Sequence, residues 1–257
     1  LYPLIPKPGS FEILHSISVY YSEQADTYDH LDQGSEKRRA YTEGINGIIA
    51  KDLSECEAAR VLHIACGTGR RATDIRDRSG LDYRMEGIDI SAGMVETAKG
   101  RGLDARIGHW NEVDVESGAY DAITFLYAFG HIPSLEERER SLRKVHGALR
   151  PGGRFYFDVF NVENPNEWGP EAVQLFEELE LANEGYEKGD LFYKRHGSHT
   201  VAFLHYCSQN VIMDLVESCG FDVNEVHRIG YVEHSGMELS QEEESGNLLL
   251  VVEKPLN

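Results

Sequence analysis

The stretch VLHIACGTGRRA, residues 61–72, ends an apolar run in a Gly-Thr-Gly turn that can hold a nucleotide. Gly67 and Gly69 lack a Cβ, so the backbone of the turn can approach a ligand closely. Asp89 ends the next apolar run, about 20 residues beyond the turn, where a carboxylate can accept both hydroxyls of a ribose. These residues together predict a nucleotide-like site. A tight strand–helix turn without any ligand is the alternative interpretation of the glycines.

Two histidines accompany this predicted site. His131 follows a later apolar run in AFGHIP, and its imidazole titrates near neutral pH, as a general base requires. The alternative is that His131 only anchors its loop. His63 is unusual because it lies inside the apolar run, four residues before Gly67.

The elements that position these residues alternate between strand-like and helix-like patterns from residue 60 onward. Strand-like runs are RVLHIA, YRMEGIDI, LDARIG, YDAITFLY and GRFYFDVF, with helix-like runs at 70–79, 91–100 and 136–149 and two more strands in the tail. This alternation predicts an α/β fold with a Rossmann-like, seven-stranded, mostly parallel sheet and helices on both faces. In such sheets, ligands bind outside the carboxyl ends of the strands.

Two segments interrupt this rhythm. Residues 10–55 are predicted to form an N-terminal helical cover, in which ILHSISVYYSEQADTYDHL reads as a helix and Ser35 as the N-cap of the next one. Residues 161–206 are polar and aromatic, which is typical of an inserted lid or acceptor region after the fifth strand. Residues 1–257 are otherwise expected to form a single domain.

Composition excludes several classes of function. The formal net charge is −19 and no long basic stripe is present, which disfavours a nucleic-acid partner. No apolar run reaches the roughly 18 residues of a membrane helix, and no charged-then-apolar signal pattern is seen in the given residues. The four cysteines form no CxxC pair, so reduced thiols in a cytoplasmic protein are expected. His196 and His199 are a weak pair in a Gly/Ser loop, so no metal is predicted. A homodimer stays one option for the oligomeric state.

Four motifs in a fixed order resemble those of the class I S-adenosylmethionine-dependent methyltransferases: VLHIACGTG, GIDIS with MVETA, YDAITFLYAFGHI and LRPGGRFYFDVF. The resemblance covers roughly residues 15–160. Within the family, the segments ACGTG, GHW and FGHI are similar to the glycine N-methyltransferase type of small-molecule enzymes. The resemblance implies S-adenosylmethionine as cofactor and a small amine or carboxylate-bearing metabolite as substrate.

The same resemblance implies roles for individual residues. The backbone at Ala65, Gly67 and Gly69 would line the methionine part of the cofactor. The other implied cofactor contacts are Tyr21, Arg38 (or Lys37), His63, Asp89, Ile90, Met94, His109, Trp110, Leu126 and Tyr127. Arg38 would hold the carboxylate, since a fixed cation suits that group.

Aromatic and basic residues supply the predicted acceptor side. Aromatic faces stabilise cations such as a sulfonium, which makes Tyr20, Tyr21, Tyr28 and Phe129 candidates to surround it. The catalytic candidates are His131, Tyr20, Tyr28 and His63, and the substrate candidates are Phe129, Tyr193, Arg195 and His205. For each of these residues, an ordinary place in the core or in a surface hairpin is the alternative.

His63 is a departure from the family, which usually carries Asp or Glu there to help hold the cofactor ammonium. A neutral imidazole could instead accept a proton from that amine. The free amine could then attack its own side chain, as in azetidine-2-carboxylate synthases, and expel methylthioadenosine. Methyl transfer to a separate acceptor is favoured over this cyclisation. A non-catalytic cofactor-binding protein is a further alternative, and a dinucleotide site is disfavoured because Arg70-Arg71-Ala72 replaces the third glycine.

Overall fold

A central β-sheet organises the computed structural model, which describes residues 3–56, 58–194, 201–241, 243 and 245–256. The strands are β1 (Arg60–Ile64), β2 (Arg84–Asp89), β3 (Asp104–Ile107), β4 (Tyr120–Phe125), β5 (Leu149–Val159), β6 (Asp190–Lys194), β7 (Val201–His205), β8 (Asp222–Ile229), β9 (Glu238–Leu239) and β10 (Asn247–Glu253). Eight of them form one sheet in the order β3-β2-β1-β4-β5-β10-β8-β9. Strands β1 to β5 pair in parallel, whereas β10 is antiparallel to β5 and β8.

The predicted α/β architecture with a mostly parallel sheet is confirmed, but the strand count differs by one. Within the part of the chain that the structure describes, the main sheet has eight strands instead of the predicted seven. The extra strand is β9, two residues of the acidic loop that pair with Arg228 and Ile229. A two-residue strand is too short to show an alternating pattern, so the sequence gives no signal for it.

Helices cover both faces of the sheet. They are α1 (Ser10–Gln24), α2 (Tyr28–Gln33), α3 (Glu36–Glu55), α4 (Arg70–Ser79), α5 (Ala92–Gly100), α6 (Leu135–Ala148), α7 (Gly169–Glu178) and α8 (Gln209–Ser218). One apolar core joins the sheet to α6 and α8 through side chains such as Leu142 and Ile212. A second core joins the opposite face to α3, α4 and α5 through Ile45, Ile75 and Val95.

The N-terminal helices differ from the expected single run. Where the sequence predicts one helix through ILHSISVYYSEQADTYDHL, the structure has α1 and α2, separated at residues 25–27. Strands β6 and β7 form a separate two-stranded sheet. Ile13 and Ile17 of α1 pack on Phe192 and Phe203 of this hairpin. The segments before and after the central parallel strands therefore contact each other.

Three further observations concern the described residues. None of their helices combines the length and the apolar character needed to cross a membrane. Their His, Cys, Asp and Glu side chains form no group of three or more that could hold a metal ion. The four cysteines, all in described segments, are free thiols.

Candidate active site

The turn after β1 combines left-handed backbone with an open face. Ala65, Gly67 and Gly69 have φ values of 50°, 54° and 78°. A Cβ on Gly67 would meet nothing within 4 Å, whereas one on Gly69 would lie 3.1 Å from Leu103 Cδ1 and 3.2 Å from Ala98. Gly67 thus leaves space for a ligand, and Gly69 instead allows α4 to start close to α5.

Asp89, at the carboxyl end of β2, is fixed by the neighbouring backbone. Its Oδ2 accepts the N–H of Gly67 at 2.8 Å, and its Oδ1 accepts the N–H of Ser91 at 2.9 Å. The carboxyl is 7% exposed, and burial raises its pKa even though the backbone hydrogen bonds oppose that change. A carboxylate oxygen can accept two hydrogen bonds, so each oxygen of Asp89 can accept a ligand hydroxyl in addition to its backbone N–H.

A first cavity of about 830 Å³ opens above this turn. Most of the predicted cofactor residues line it, together with two of the predicted catalytic residues: Tyr21, Tyr28, Ala65, Gly67, Asp89, Ile90, Met94, His109, Trp110, Leu126, Tyr127 and His131. Trp110 is 5% exposed, and its Nε1–H donates to the carbonyl of Ser141 at 3.3 Å. Apart from Asp89 and a few polar groups, the lining is apolar, as small-molecule sites usually are.

A second cavity of about 1740 Å³ adjoins the first. The two share a junction, defined by Tyr21, Tyr28, Ala65, Gly67, Leu126, Tyr127 and His131. Arg38 and Tyr193, predicted to bind cofactor and substrate, line only the second cavity. Charged side chains of both signs line it as well, among them Arg71 and Glu167. A ligand in the first cavity can therefore meet a different ligand in the second at the junction.

His131 and Tyr21 form a hydrogen-bonded pair at this junction. His131 Nδ1 lies 2.7 Å from the carbonyl oxygen of Phe203, which can only accept, so Nδ1 carries the proton. In the neutral ring, Nε2 is then the acceptor, and the Tyr21 hydroxyl donates to it at 3.2 Å. The α1 helix and the loop after β4 thus bring together two residues that lie 110 positions apart. The arrangement leaves an imidazole nitrogen ready to accept a proton.

Tyr127 adopts a strained conformation that sequence reasoning did not foresee. Its φ is 60°, which is rare for an aromatic residue. The buried carboxylate of Asp158 on β5 accepts its N–H at 2.6 Å and the hydroxyl of Tyr41 at 3.2 Å. Strained residues held by their surroundings are frequent at functional sites. The signal for Asp158 was available, as a lone acid in the apolar strand GRFYFDVF.

Asp29 is a second residue that sequence reasoning missed. Its carboxylate accepts from Thr68 Oγ1 at 2.7 Å and from Arg101 Nη2 at 2.5 Å. These bonds attach α2, and with it Tyr28 at the junction, to the glycine turn and to the end of α5. No local pattern could predict them, since the partners lie 39 and 72 positions away.

His63 is not brought to either cavity. It points into the sheet interior, 3% exposed, where Nδ1 lies 2.8 Å from Thr124 Oγ1 of β4. Its Nε2 has no hydrogen-bond partner among the described residues, and burial lowers the pKa of the imidazole to about 3. A neutral, enclosed ring at this depth does not line the predicted cofactor site, so the geometry does not support proton transfer from a cofactor amine to His63.

Other predicted site residues also lie away from the cavities. Phe129 is 1% exposed and packs between Phe125 and Phe157, and Gly69 and Tyr20 line neither cavity. His205 is buried, with Nδ1 2.8 Å from Asp190 Oδ1.

Although burial lowers the pKa of His205, Cys207 and Asp190 together raise it to about 9. Lys7 Nζ completes the cluster at 2.6 Å from Asp190. These contacts give His205 a place in a buried charge cluster instead of the cavity lining. Arg195 lies outside the described residues.

The donor set fits an adenosyl cofactor. Gly67 leaves open space at the turn, since nothing lies within 4 Å of a Cβ position there, and Asp89 presents two oxygens suited to a vicinal diol. The apolar side chains of Ile90 and Met94 line the same cavity as Trp110, and Met94 is almost fully buried. These residues supply the close backbone approach, the diol acceptor and the apolar walls that adenosine requires.

Comparisons with known proteins agree with this chemistry. Residues 61–153 match the family described as methyltransferase domain. The chain is 26% identical over 183 residues to carboxy-S-adenosyl-L-methionine synthase of Campylobacter fetus, covering 69% of this chain and 74% of that protein. It is 29% identical over 136 residues to a dTDP-3-amino-3,6-dideoxy-alpha-D-glucopyranose N,N-dimethyltransferase of Streptomyces fradiae, covering 52% of each.

A third relative is the ubiquinone/menaquinone biosynthesis C-methyltransferase UbiE of Geotalea daltonii, 30% identical over 113 residues, which cover 40% of this chain and 46% of that protein. The chain thus spans about half the length of the second and third relatives.

Solved structures share the fold at low identity. The DhpI-SAM-HEP complex has a TM-score of 0.64 at 19% identity, over 95% of this chain and 99% of that one. The CcbJ methyltransferase of Streptomyces caelestis has a TM-score of 0.63 at 14% identity, over 91% and 98% of the two chains. At such low sequence identities, the likeness shows a shared fold and nothing beyond it.

Proposed function

We propose that this chain, whose residues 61–153 match the methyltransferase domain family, binds S-adenosylmethionine as cofactor and methylates a small molecule that carries an amine or a carboxylate. The junction between the two cavities is the observation that carries this proposal. It joins a cavity suited to the cofactor to a larger, charged cavity in which an acceptor fits.

The junction residues suit methyl transfer. When bound, the cofactor supplies an electrophilic methyl group on a sulfonium. The rings of Tyr21, Tyr28 and Tyr127 line the junction, and aromatic faces stabilise a cation. Phe129 and Tyr20, the other predicted aromatic contacts, have no part in this proposal because neither lines the first or the second cavity.

His131 is the proposed general base. Its Nδ1–H is committed to the carbonyl of Phe203, which holds Nε2 unprotonated toward Tyr21. The acceptor gives its proton to the Tyr21 hydroxyl, which passes its own proton to Nε2. A positioned base of this kind contributes about 10²- to 10⁴-fold to a rate.

Two segments around the junction are proposed to enclose the reactants. Residues 10–55 act as the cover, since Tyr21 and Tyr28 line both cavities and Asp29 attaches α2 to the glycine turn. Residues 161–206 act as the acceptor lid, since Glu167, Trp168 and other residues of this segment line only the second cavity. A small metabolite is the acceptor that such a covered site favours, with no role for nucleic acid.

The test is to incubate the protein with S-adenosylmethionine, alone and with panels of small amines and carboxylic acids, and to analyse products by mass spectrometry. The proposal predicts S-adenosylhomocysteine only when an acceptor is present. Methylthioadenosine with a four-carbon cyclic amino acid, formed without acceptor, would show cyclisation instead. Cofactor binding without any turnover would favour a non-catalytic protein.

Variants of the dyad then test the base. His131→Gln and Tyr21→Phe are expected to slow methyl transfer by about 10²-fold or more, with cofactor affinity little changed. Because both act in one relay, the double variant should be no slower than the slower single variant. Rates that multiply in the double variant would contradict the relay.

A further inference from the structure

The wall of the second cavity contains a half-buried carboxylate, that of Glu167, which the methyl-transfer machinery does not use. Glu167 lies in the loop after β5, and its Oε2 accepts the hydroxyl of Tyr206 at 3.3 Å. Its Oε1 is buried and accepts no hydrogen bond from the described residues. An unpaired buried acceptor is costly, so such a group needs an explanation.

The loop holds Glu167 in a fixed position. The N–H of Glu167 donates to the carbonyl of Asn164 at 3.2 Å, and the N–H of Asn164 donates to the carbonyl of Asn161 at 3.1 Å. Asn161 is fully buried and its Nδ2 donates to the carbonyl of Gly246 at 3.2 Å. The carboxylate is therefore preorganised at the cavity wall before any ligand arrives.

Aromatic rings surround the same part of the cavity. Trp168 and Tyr193 lie 5.2 Å apart between ring centroids, and Tyr206 and Phe160 lie 5.6 Å apart. All four line the second cavity together with Glu167. A carboxylate among aromatic faces is the arrangement that binds an organic ammonium group, by a charge-assisted hydrogen bond and by cation–π attraction.

The charge state of Glu167 responds to its surroundings. Burial raises its pKa to about 7, although the hydrogen bond from Tyr206, the backbone N–H of Trp168 and the nearby charge of Arg38 all lower it. A cationic ligand would favour the charged form further, as an opposite charge does for any carboxylate. The site gains more from a ligand cation than from a neutral hydroxyl of equal size.

We propose that Glu167, with Trp168, Tyr193 and Tyr206, forms a cation subsite, so that the acceptor carries a protonated amine bound there. This inference rests on the proposed function and narrows its substrate class. The row of rings Tyr127, Phe160 and Tyr206, with neighbouring centroids 6.3 Å and 5.6 Å apart, leads from the junction to Glu167. The subsite thus recognises the acceptor at a distance from the methylated atom, and Glu167 determines specificity without acting as the base.

Binding of three matched probes to the full chain, saturated with S-adenosylhomocysteine, tests the subsite. The probes are 2-phenylethylamine, 2-phenylethanol and phenylacetate, which share the ring and differ in charge. Calorimetry near neutral pH should give the amine an affinity about 10-fold or more above that of the alcohol. A preference for phenylacetate, equal affinities, or no amine binding at millimolar concentration would overturn the proposal.

Variants assign the preference to Glu167. Glu167→Gln should bring amine and alcohol to within about threefold of each other, whereas Glu167→Asp should keep the amine preferred. Glu163→Gln is the matched control, because Glu163 is an exposed carboxylate of the same loop and does not line the cavity. Unchanged S-adenosylhomocysteine affinity would show that each variant is folded. An undiminished amine preference in folded Glu167→Gln would refute the assignment.

The same data separate this inference from the proposed function. An amine preference that depends on Glu167, without any methyl transfer in the acceptor panels, would reject the proposed methyl transfer and keep the cation subsite. Methyl transfer only to acids or alcohols, with no effect of Glu167→Gln, would keep the function and reject the subsite.

Discussion

Asp89→Asn is predicted to weaken cofactor binding strongly while leaving the fold intact. The carboxylate already accepts the N–H groups of Gly67 and Ser91, one on each oxygen, and faces the first cavity. Two charge-assisted hydrogen bonds to a ribose diol contribute about 1.5–3 kcal/mol each. Asparagine offers a single oxygen, so at best one neutral bond of about 1 kcal/mol is left. The net loss is about 3 kcal/mol, or about 100-fold in Kd.

Calorimetric titration with S-adenosylhomocysteine measures this loss directly. A 2′,3′-dideoxy analogue of the ligand removes the hydroxyls from the other side of the contact. The analogue should bind the wild type at least as weakly as the variant binds the natural ligand, and the variant should distinguish the two ligands by no more than about 1 kcal/mol, or about fivefold in Kd. Asp104→Asn is the control, since Asp104 is an exposed acid at the opposite end of the neighbouring strand and pairs with Arg84.

Two results would refute the reasoning about Asp89. One is a Kd for the folded variant within threefold of the wild type, which would mean that the carboxylate does not contact the ligand. The other is an equal loss for the natural and dideoxy ligands, which would mean that Asp89 acts only by supporting the turn at Gly67.

Three further predictions concern stability, measured by urea unfolding. Ala65→Gly should stabilise the protein by about 0.5 kcal/mol, because relief of the left-handed φ of 50° slightly exceeds the added chain entropy; a loss above about 1 kcal/mol would contradict this. Burial lowers the pKa of His63 from 6.5 to about 3, so this residue contributes stability above pH 6.5 that is lost as pH falls. Between pH 7 and pH 5 the wild type should therefore lose more unfolding free energy than His63→Gln. Parallel curves of unfolding free energy against pH for the two proteins would contradict this prediction. The pKa of His205 is raised from 6.5 to about 9, so this residue contributes stability below pH 6.5 that is lost as pH rises through 9. Over that range the wild type should therefore lose more unfolding free energy than His205→Gln. A difference in unfolding free energy between the two proteins that does not change with pH would refute the role of the Asp190 pair.

Much of the fold and of the first cavity follows from local sequence. The turn at Gly67 and the acid at Asp89 each end an apolar run, and parallel strands bring their carboxyl ends to one edge of the sheet. The predicted residues Ile90, Met94, His109 and others at these strand ends accordingly line one cavity. The predicted resemblance is confirmed by the match of residues 61–153, which contain these strand ends, to the methyltransferase domain family.

His63 illustrates why a motif position does not determine a role. The sequence locates it correctly inside β1, but strand periodicity leaves open which sheet face its side chain takes and what it meets there. In the structure its partner is Thr124 on the adjacent strand, and the cavities lie elsewhere. Phe129 failed as a cavity residue for a similar reason, since the turn after β4 directs its ring into the core.

The sequence alone determined the alternating α/β pattern, the glycine turn and the position of Asp89 at the end of the second strand, because each depends on residues close together along the chain. Only the tertiary structure decided the rest. The structure pairs His131 with Tyr21 and attaches Asp29 to Thr68. It also places Glu167 in the wall of the second cavity, beside residues that are distant along the chain. Such contacts form when the cover and the lid pack on the sheet. Packing between distant segments leaves no periodic pattern in the local sequence, so the sequence does not predict these contacts.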